Sequence, residues 1–494
     1  MSHEREHCHF LAFGKVGTLH DMPATMNDEQ FREYSLNGSL AKVIFQIGTP
    51  LAVYALSSGL FSILDTLMAS YVSSTAVSSV AYLSQLQVII NSIGAGLVTG
   101  SIIKINQAYG AGDYQLVRKQ LNTLVVLCLF LCMGILLLVP IIPQILTFFR
   151  TPEAFIKVGS NYFSILLLAT MMNILNGLYF AVEKTRGKTK RIMGLNLVMM
   201  TIKIICSAFF IFVLQKDISS IATATLIAYL LVFTIGLSDL LRSKSVFRLN
   251  LRLASLRRDC VLPLVGISYP IALDKASFAL GKTMVNSMIT QYGNNTVGAL
   301  GISNNTCGLT TNLQGGYCDG ASAIISQNIG AGNKKRAIQA YLDTLLITCL
   351  VSALGITILY FFRVPLTTLF STSRQGLDSE FQKAIMDIFR YDLVSCFPLA
   401  INSAAVAFLL GLGKTKLTLV INLLRIFVFR IPVLYLFQSI LHLGQFSVGL
   451  MMMVSNTSVA AISTSLVMKE IHKLRKSYAK EHIKENLPPR QEPD

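Results

Sequence analysis

A few charged residues stand inside long apolar runs of this chain of 494 residues. They are Asp65 in LDTLMASY, Lys203 in KIICSAFF, Asp274, Lys275 and Lys282 in YPIALDKASFALGK, Asp319 in GGYCDGASA, and Arg425 and Arg430 in LLRIFVFRIP. A charge at mid-bilayer costs at least about 2.5–3.5 kcal/mol on insertion scales, so each needs a partner or a role. A carboxylate held in a cavity can load and release a proton. Asp65 is the favoured ion-coupling residue on this reading, with Asp274 in the second half of the chain. Lys203 would form an ion pair with Asp65 that protonation breaks. Arg430 is expected to pair with Asp274 or with carbonyls at a helix end.

The elements around these charges follow from composition. Hydrophobic residues make up 53% of the chain and charged residues 14%, against about 25% charged in soluble domains. That balance excludes a water-soluble fold of this length. Crossing about 30 Å of hydrocarbon takes about 20 helical residues. Twelve apolar segments qualify: 42–70, 79–107, 121–148, 155–182, 192–214, 219–241, 262–291, 296–328, 337–362, 385–411, 417–439 and 444–468. Each must be helical, because lipid offers backbone groups no other partner.

The net charge of +17 sits largely in the short connectors, so it sets orientation rather than binding nucleic acid. With the N-terminus cytoplasmic, the cytoplasmic connectors and C-terminal tail hold 25 Lys and Arg, and the outer connectors with their adjoining helix ends hold 7. Both ends are therefore predicted to be cytoplasmic. The nine cysteines are scattered and form no disulfide framework. No cleavable leader is expected at the N-terminus. His3, His7, Cys8 and His9 could in principle hold a metal, but no second ligand cluster follows, so they read as a polar tail and no metal site is expected.

The chain repeats itself. Pro50, Gln107 and Gly110 match Pro270, Gln327 and Gly330 at an offset of 220 residues. GKTK recurs at Gly187 and Gly413, with Asn196 and Asn422 following at equal distance. Six helices per half place both halves in the same orientation, a parallel repeat of the transporter kind. The twin Gly-Ala-Gly stretches lack the preceding strand and the Lys-Ser or Lys-Thr pair of a phosphate cradle. They read as helix C-caps followed by basic residues held on the cytoplasmic side.

Twelve helices in two sixes, a proline in the first and seventh, and GAGD and GAGN loops after the second and eighth resemble the multidrug and toxic compound extrusion (MATE) family. The stretch LDTLMASY also resembles that family's first-helix pattern, with Ser70 where glycine is usual. The resemblance spans roughly residues 38–468. It implies export of organic cations and drugs by alternating access, driven by protons or sodium, within a superfamily that also holds lipid-linked oligosaccharide flippases. It places the coupling carboxylate at Asp65 and a proline hinge at Pro50. This sequence departs from the family at two places. Lys203 and Ser207 stand where an Asn and an Asp supply cation ligands, which argues against sodium in the first half. Phe278 stands where one branch has a glutamate, and Asp274, one turn earlier on the same face, is the candidate substitute.

The expected fold is all-α and integral to the membrane, with twelve transmembrane helices as two parallel six-helix repeats around a central cavity. The expected divisions are a tail at 1–38, lobes at 39–241 and 262–468, a linker at 242–261 and a tail at 469–494. The expected function is a secondary antiporter, not an enzyme, moving organic and cationic compounds outward in exchange for protons. A lipid-linked oligosaccharide or polysaccharide flippase is the alternative. Tyr54, Asp274, Lys275, Lys282 and Arg430 are the expected cavity residues, Asp65, Lys203 and Asp274 the coupling residues, and Pro50 and Pro270 the hinges. No nucleotide motif and no cofactor are expected, so an ion gradient must supply the energy. The expected partners are small organic molecules and membrane lipid, and the chain is expected to be monomeric in the cell inner (plasma) membrane.

Overall fold

A computed structural model describes residues 26–70, 74–148, 153–243, 245–373, 376–377 and 379–485; within them, the side chains at 60–67, 69–70, 74–79, 81–82, 145, 148, 153–155, 157–158, 294, 369, 372–373, 376–377 and 480–485 lie outside the described set. The His3, His7, Cys8 and His9 group lies outside it altogether.

A short helix, α1 (Asp28–Asn37), comes first, opened by an Asn27 and Gln30 capping box. The first repeat follows as α2 (Leu40–Ser70), α3 (Ser74–Ala111), α4 (Tyr114–Leu138) continued by α5 (Ile142–Phe148), α6 (Glu153–Thr185), α7 (Thr189–Ala208) and α8 (Ser219–Arg242). The second repeat is α9 (Arg258–Ile289), α10 (Asn294–Gly330), α11 (Lys334–Phe361) with the short α12 (Arg363–Ser371), α13 (Ser379–Gly411), α14 (Thr415–Leu423) continued by α15 (Ile431–Tyr435), and α16 (Ser447–Glu485). Before α13, strands β1 (Thr372–Ser373) and β2 (Gly376–Leu377) pair antiparallel, with Thr372 opposite Leu377. The predicted segments match these helices, but the helices run longer. α13 begins six residues before 385, and α16 runs to Glu485.

Among the described residues, ten helices are long and apolar enough to cross a membrane. On α11, Leu346, Leu350, Leu354 and Ile358 form an exposed stripe at helical spacing, the mark of a face turned to lipid. The long helices α9 and α10 are less apolar. They carry Asp274, Lys275 and Lys282, and the polar run from Ser303 to Gln314. Their low hydropathy reflects a polar face turned inward.

The repeats meet along two seams, α2 with α10 and α3 with α9. Small residues let the backbones approach there. Gly48 lies under the Tyr317 ring and Gly316 against the backbone of Ala52; across the other seam, Gly96 lies against Ala272 and Gly100 against Ser268. The large apolar core fills the first repeat and reaches α10, α11, α13 and α16. Two adjoining cavities lie mostly on the second repeat's side.

Candidate functional site

Side chains of α9, α10, α13 and α16 converge on a cavity of about 410 Å³, which α2 also touches at Leu56 and Gly59. Phe278 and Lys282, one turn apart on α9, both line it. Between α14 and α15 the chain runs as a π-helix from Leu424 to Arg430. A π-helix bonds i to i+5, so residues five apart stack almost in line. Arg425 and Arg430 therefore enter the same cavity, where an ordinary α-helix would splay them. Pro432 cannot donate a backbone hydrogen bond, which favours the irregular turn before it.

Both guanidiniums are buried, at 8% and 4% exposure. Arg425 donates from Nε and Nη2 to Asn456 Oδ1 at 3.1 and 2.7 Å, and Arg430 Nη2 donates to the same oxygen at 3.4 Å. Asn456 Nδ2 donates to Ser395 Oγ at 2.9 Å. Ser395 Oγ donates to Asp392 Oδ1 at 3.2 Å, and Ser303 Oγ donates to Asp392 Oδ2 at 2.8 Å. The Phe278 ring lies 5.3 and 5.6 Å from the two guanidinium carbons, a cation–π arrangement. Among the described residues, no carboxylate stands within 4.0 Å of either arginine.

A second cavity of about 640 Å³ adjoins the first between α3 and α9, and the two share Phe278, Lys282, Asn286 and Arg425. Asp274 and Lys275 line this second space. Asp274 Oδ1 is buried and has no hydrogen-bond partner among the described residues. Asp274, Phe278 and Lys282 thus share one face of α9, as their spacing requires.

Of the residues named from sequence, Asp274, Lys275, Lys282 and Arg430 come together around these cavities. Tyr54 lines neither; its ring packs edge-on against Phe180 at 5.8 Å. Arg430 pairs with neither Asp274 nor a helix-end carbonyl but with Asn456, because the π-helix turns it toward α16. Lys203 is buried on α7, at 2% exposure. Asp65 lies on α2, and its side chain is outside the described residues. Pro50 and Pro270 lie inside α2 and α9. Asp319 is an ion-pair partner of Lys184 at 3.2 Å, joining the two repeats.

Sequence reasoning missed Asp392. Asp392 falls inside the 385–411 segment. The helix itself starts earlier, at Ser379, and Asp392 is buried within it. The same rule that picked out Asp274 would have found it.

One face of the molecule is closed by the repeated loops. Gln327 Nε2 donates to the Thr185 carbonyl at 3.0 Å, and Gln107 Nε2 donates to the Gly411 carbonyl at 3.5 Å. Each is a bond from the second helix of one repeat to the end of the fourth helix of the other. A Cβ on Gly110 would strike the Gln327 carbonyl, and one on Gly330 would strike the Gln107 carbonyl. The contact is self-complementary, as a twofold interface requires. Gly112 and Gly332, at φ +78° and +79°, end α3 and α10 in the left-handed region.

Helix α1 straps this face. Arg32 donates to the carbonyls of Tyr109 at 2.9 Å and Gly110 at 2.8 Å, and Ser35 Oγ donates to Gln327 Oε1 at 2.7 Å. Arg186 donates to Asp28 Oδ1 at 2.9 Å and to the fully buried Glu183 at 2.6 Å. Charge-assisted bonds of this kind contribute about 1.5–3 kcal/mol each in good geometry. Arg32→Ala is expected to raise hydrogen exchange across α1 about tenfold or more, while the α6 amides keep their protection.

The family model described as MatE matches residues 50–209 and 270–436, one stretch in each repeat. The chain belongs to the MATE family. This MATE chain is similar to the probable multidrug resistance protein YpnP of Bacillus subtilis, at 21% identity over 84% of this chain and 91% of that one. It is likewise similar to the FAD transporter of Shewanella oneidensis, at 22% identity over 69% and 77% of the two chains. Its fold matches an outward-facing multidrug resistance MATE transporter of the MOP superfamily, with a TM-score of 0.84, 18% identity, and coverage of 90% of this chain and 98% of that one. A MOP superfamily transporter from Pyrococcus furiosus with a binding pocket of reversed polarity matches with the same four values.

The MATE repeats also explain the π-helix. Gly187 and Asn196 precede Gly413 and Asn422 by 226 residues. The terminal π-turns Phe209–Val213 and Leu436–Ile440, and the left-handed residues Gln215 and His442, are 227 apart. The second repeat holds one residue more in between, and the π-helical turn at Leu424–Arg430 lies in that interval. At the later offset of 227, Arg430 corresponds to Lys203.

Proposed function

We propose that this MATE chain is a secondary exporter that moves organic compounds outward by alternating access in exchange for protons. The observation that carries the reading is the two-lobed arrangement itself. A polar cavity lies against the boundary of two parallel repeats, and the repeats are joined at one face by a reciprocal loop contact. That face bears the basic connectors, so it is the cytoplasmic one on this reading, and the chain works as a monomer in the plasma membrane. Breaking the loop contact and remaking contacts at the opposite face would expose the cavity to the other side. Pro50 and Pro270 are the proposed hinges, because each removes one backbone bond from a seam helix. Asp65 and Asp274 are the proposed proton carriers. Sodium prefers a set of oxygen ligands, and a buried ammonium at Lys203 opposes such a set in the first repeat.

The test is a dye that reports lumenal pH in inside-out vesicles with an acidic lumen. Adding transported compounds is expected to release protons through the wild type. Asp65→Asn is expected to abolish that release, and Asp274→Asn to reduce it about tenfold or more. Unchanged, pH-dependent release by Asp65→Asn would remove that residue from the coupling mechanism.

A further inference from the structure

We propose that Arg425, Arg430 and Lys282 form a site for an anionic group, a phosphate or a carboxylate, carried by an aromatic or apolar organic compound. The inference deepens the exporter reading above and rests on it.

Among the described residues, the charges around the two cavities do not balance. Among the described residues, Lys275, Lys282, Arg425 and Arg430 face only Asp274 and Asp392. Asp392 is held by the hydroxyls of Ser303 and Ser395. The side chains of Ser395 and Asn456 lie between it and the arginines. The two guanidiniums converge on one neutral amide oxygen, and Arg430 Nε is buried with no hydrogen-bond partner among the described residues. Buried charges without a counter-ion are costly. A planar guanidinium presents paired donors that fit the two oxygens of a carboxylate or phosphate.

The rest of the cavity fits the remainder of such a molecule. Phe278 offers an aromatic face at the arginines, and Val285, Leu300 and Met452 supply apolar wall. A cationic compound would meet two guanidiniums and an ammonium in a low-dielectric space, where like charges repel strongly. The expectation of a cationic cargo, drawn from the family resemblance, is therefore not the one this cavity supports.

Three matched probes test the site: 1-naphthyl phosphate, 1-naphthoate and 1-naphthylmethylammonium, by equilibrium binding to the full chain in phosphatidylcholine nanodiscs. The two anions are expected to bind, and the cation at least about tenfold more weakly. Arg425→Gln is expected to weaken anion binding about tenfold, the loss of one charge-assisted interaction. Lys282→Gln repeats the test should Arg425→Gln fail to assemble. Phe278→Glu, which puts a carboxylate between the arginines, is expected to abolish anion binding. Equal or tighter binding of the cation, or unchanged anion binding in both neutralised variants, would overturn the site.

Nanodiscs containing phosphatidylglycerol separate the two sources of the anion. Loss of naphthyl phosphate binding there would assign the site to a lipid headgroup, and undiminished binding to a soluble compound. Either result upholds the anion site. Anion binding without proton release in the dye assay would overturn the exporter reading alone. Proton release by cations, without anion binding, would overturn the site alone.

Discussion

The double variant Gly110→Ala/Gly330→Ala is expected to lose export to background while still inserting in the membrane. Each added methyl would fall on the carbonyl of Gln327 or Gln107 in the other repeat. Backbone cannot rotate away as a flexible side chain can. Overpacking a close contact costs about 1–3 kcal/mol per site. Two sites then shift the equilibrium between the joined and separated loop faces by roughly 30-fold to 10⁴-fold. Gly177→Ala is the control, since nothing lies within 4 Å of its added Cβ. The helix gains propensity there, so wild-type export is expected. Spin labels at Lys190 and Asn333 in a cysteine-depleted chain read the geometry directly. The distance between the repeats is expected to lengthen in the double variant and to be unchanged in Gly177→Ala. A wild-type distance and wild-type export in the double variant would show that the two loops need not touch.

Asn456→Leu is expected to be the most destabilising single change in the cavity wall. One amide oxygen accepts from both buried arginines, and the amide nitrogen donates to Ser395. Leucine fills similar volume and supplies neither group. Two buried cations then lose their acceptor, a change that costs about 3–5 kcal/mol when a buried charge is left uncompensated. The measurement is the unfolding midpoint in detergent, with Asn456→Asp beside it. The aspartate is expected to hold or raise stability, because it places a carboxylate where the arginines already point. A midpoint for Asn456→Leu equal to wild type would mean that water or lipid satisfies the arginines.

The fold was legible because lipid removes ambiguity. An apolar run of this length must be a helix, and the Pro50, Gln107 and Gly110 matches fixed the repeat. The roles inside the repeat were less legible. Gly112 and Gly332 end their helices as expected, but Gly110 and Gly330 serve a contact between repeats, which spacing within one repeat cannot show. Gln107 and Gln327 were visible as a matched pair, and their crossed bonds to Gly411 and Thr185 needed the assembled interface. Arg425 and Arg430 were named, yet their convergence was hidden. Five residues apart on an α-helix would point different ways, and only the π-helical turn aligns them. Asn456 carried no charge and sits in an apolar-rich segment, so nothing in its sequence context marked it as the hub of a charged network.

The most direct test of the central claim is substrate movement driven by a proton gradient alone. The purified chain is reconstituted in vesicles, a pH gradient is imposed with no nucleotide and no sodium, and uptake of labelled organic anions and cations is followed. Accumulation above equilibrium that collapses when a protonophore is added, and that is lost in Asp65→Asn, is the predicted result. Accumulation only with a sodium gradient, or none with either ion, would contradict a proton-coupled exporter.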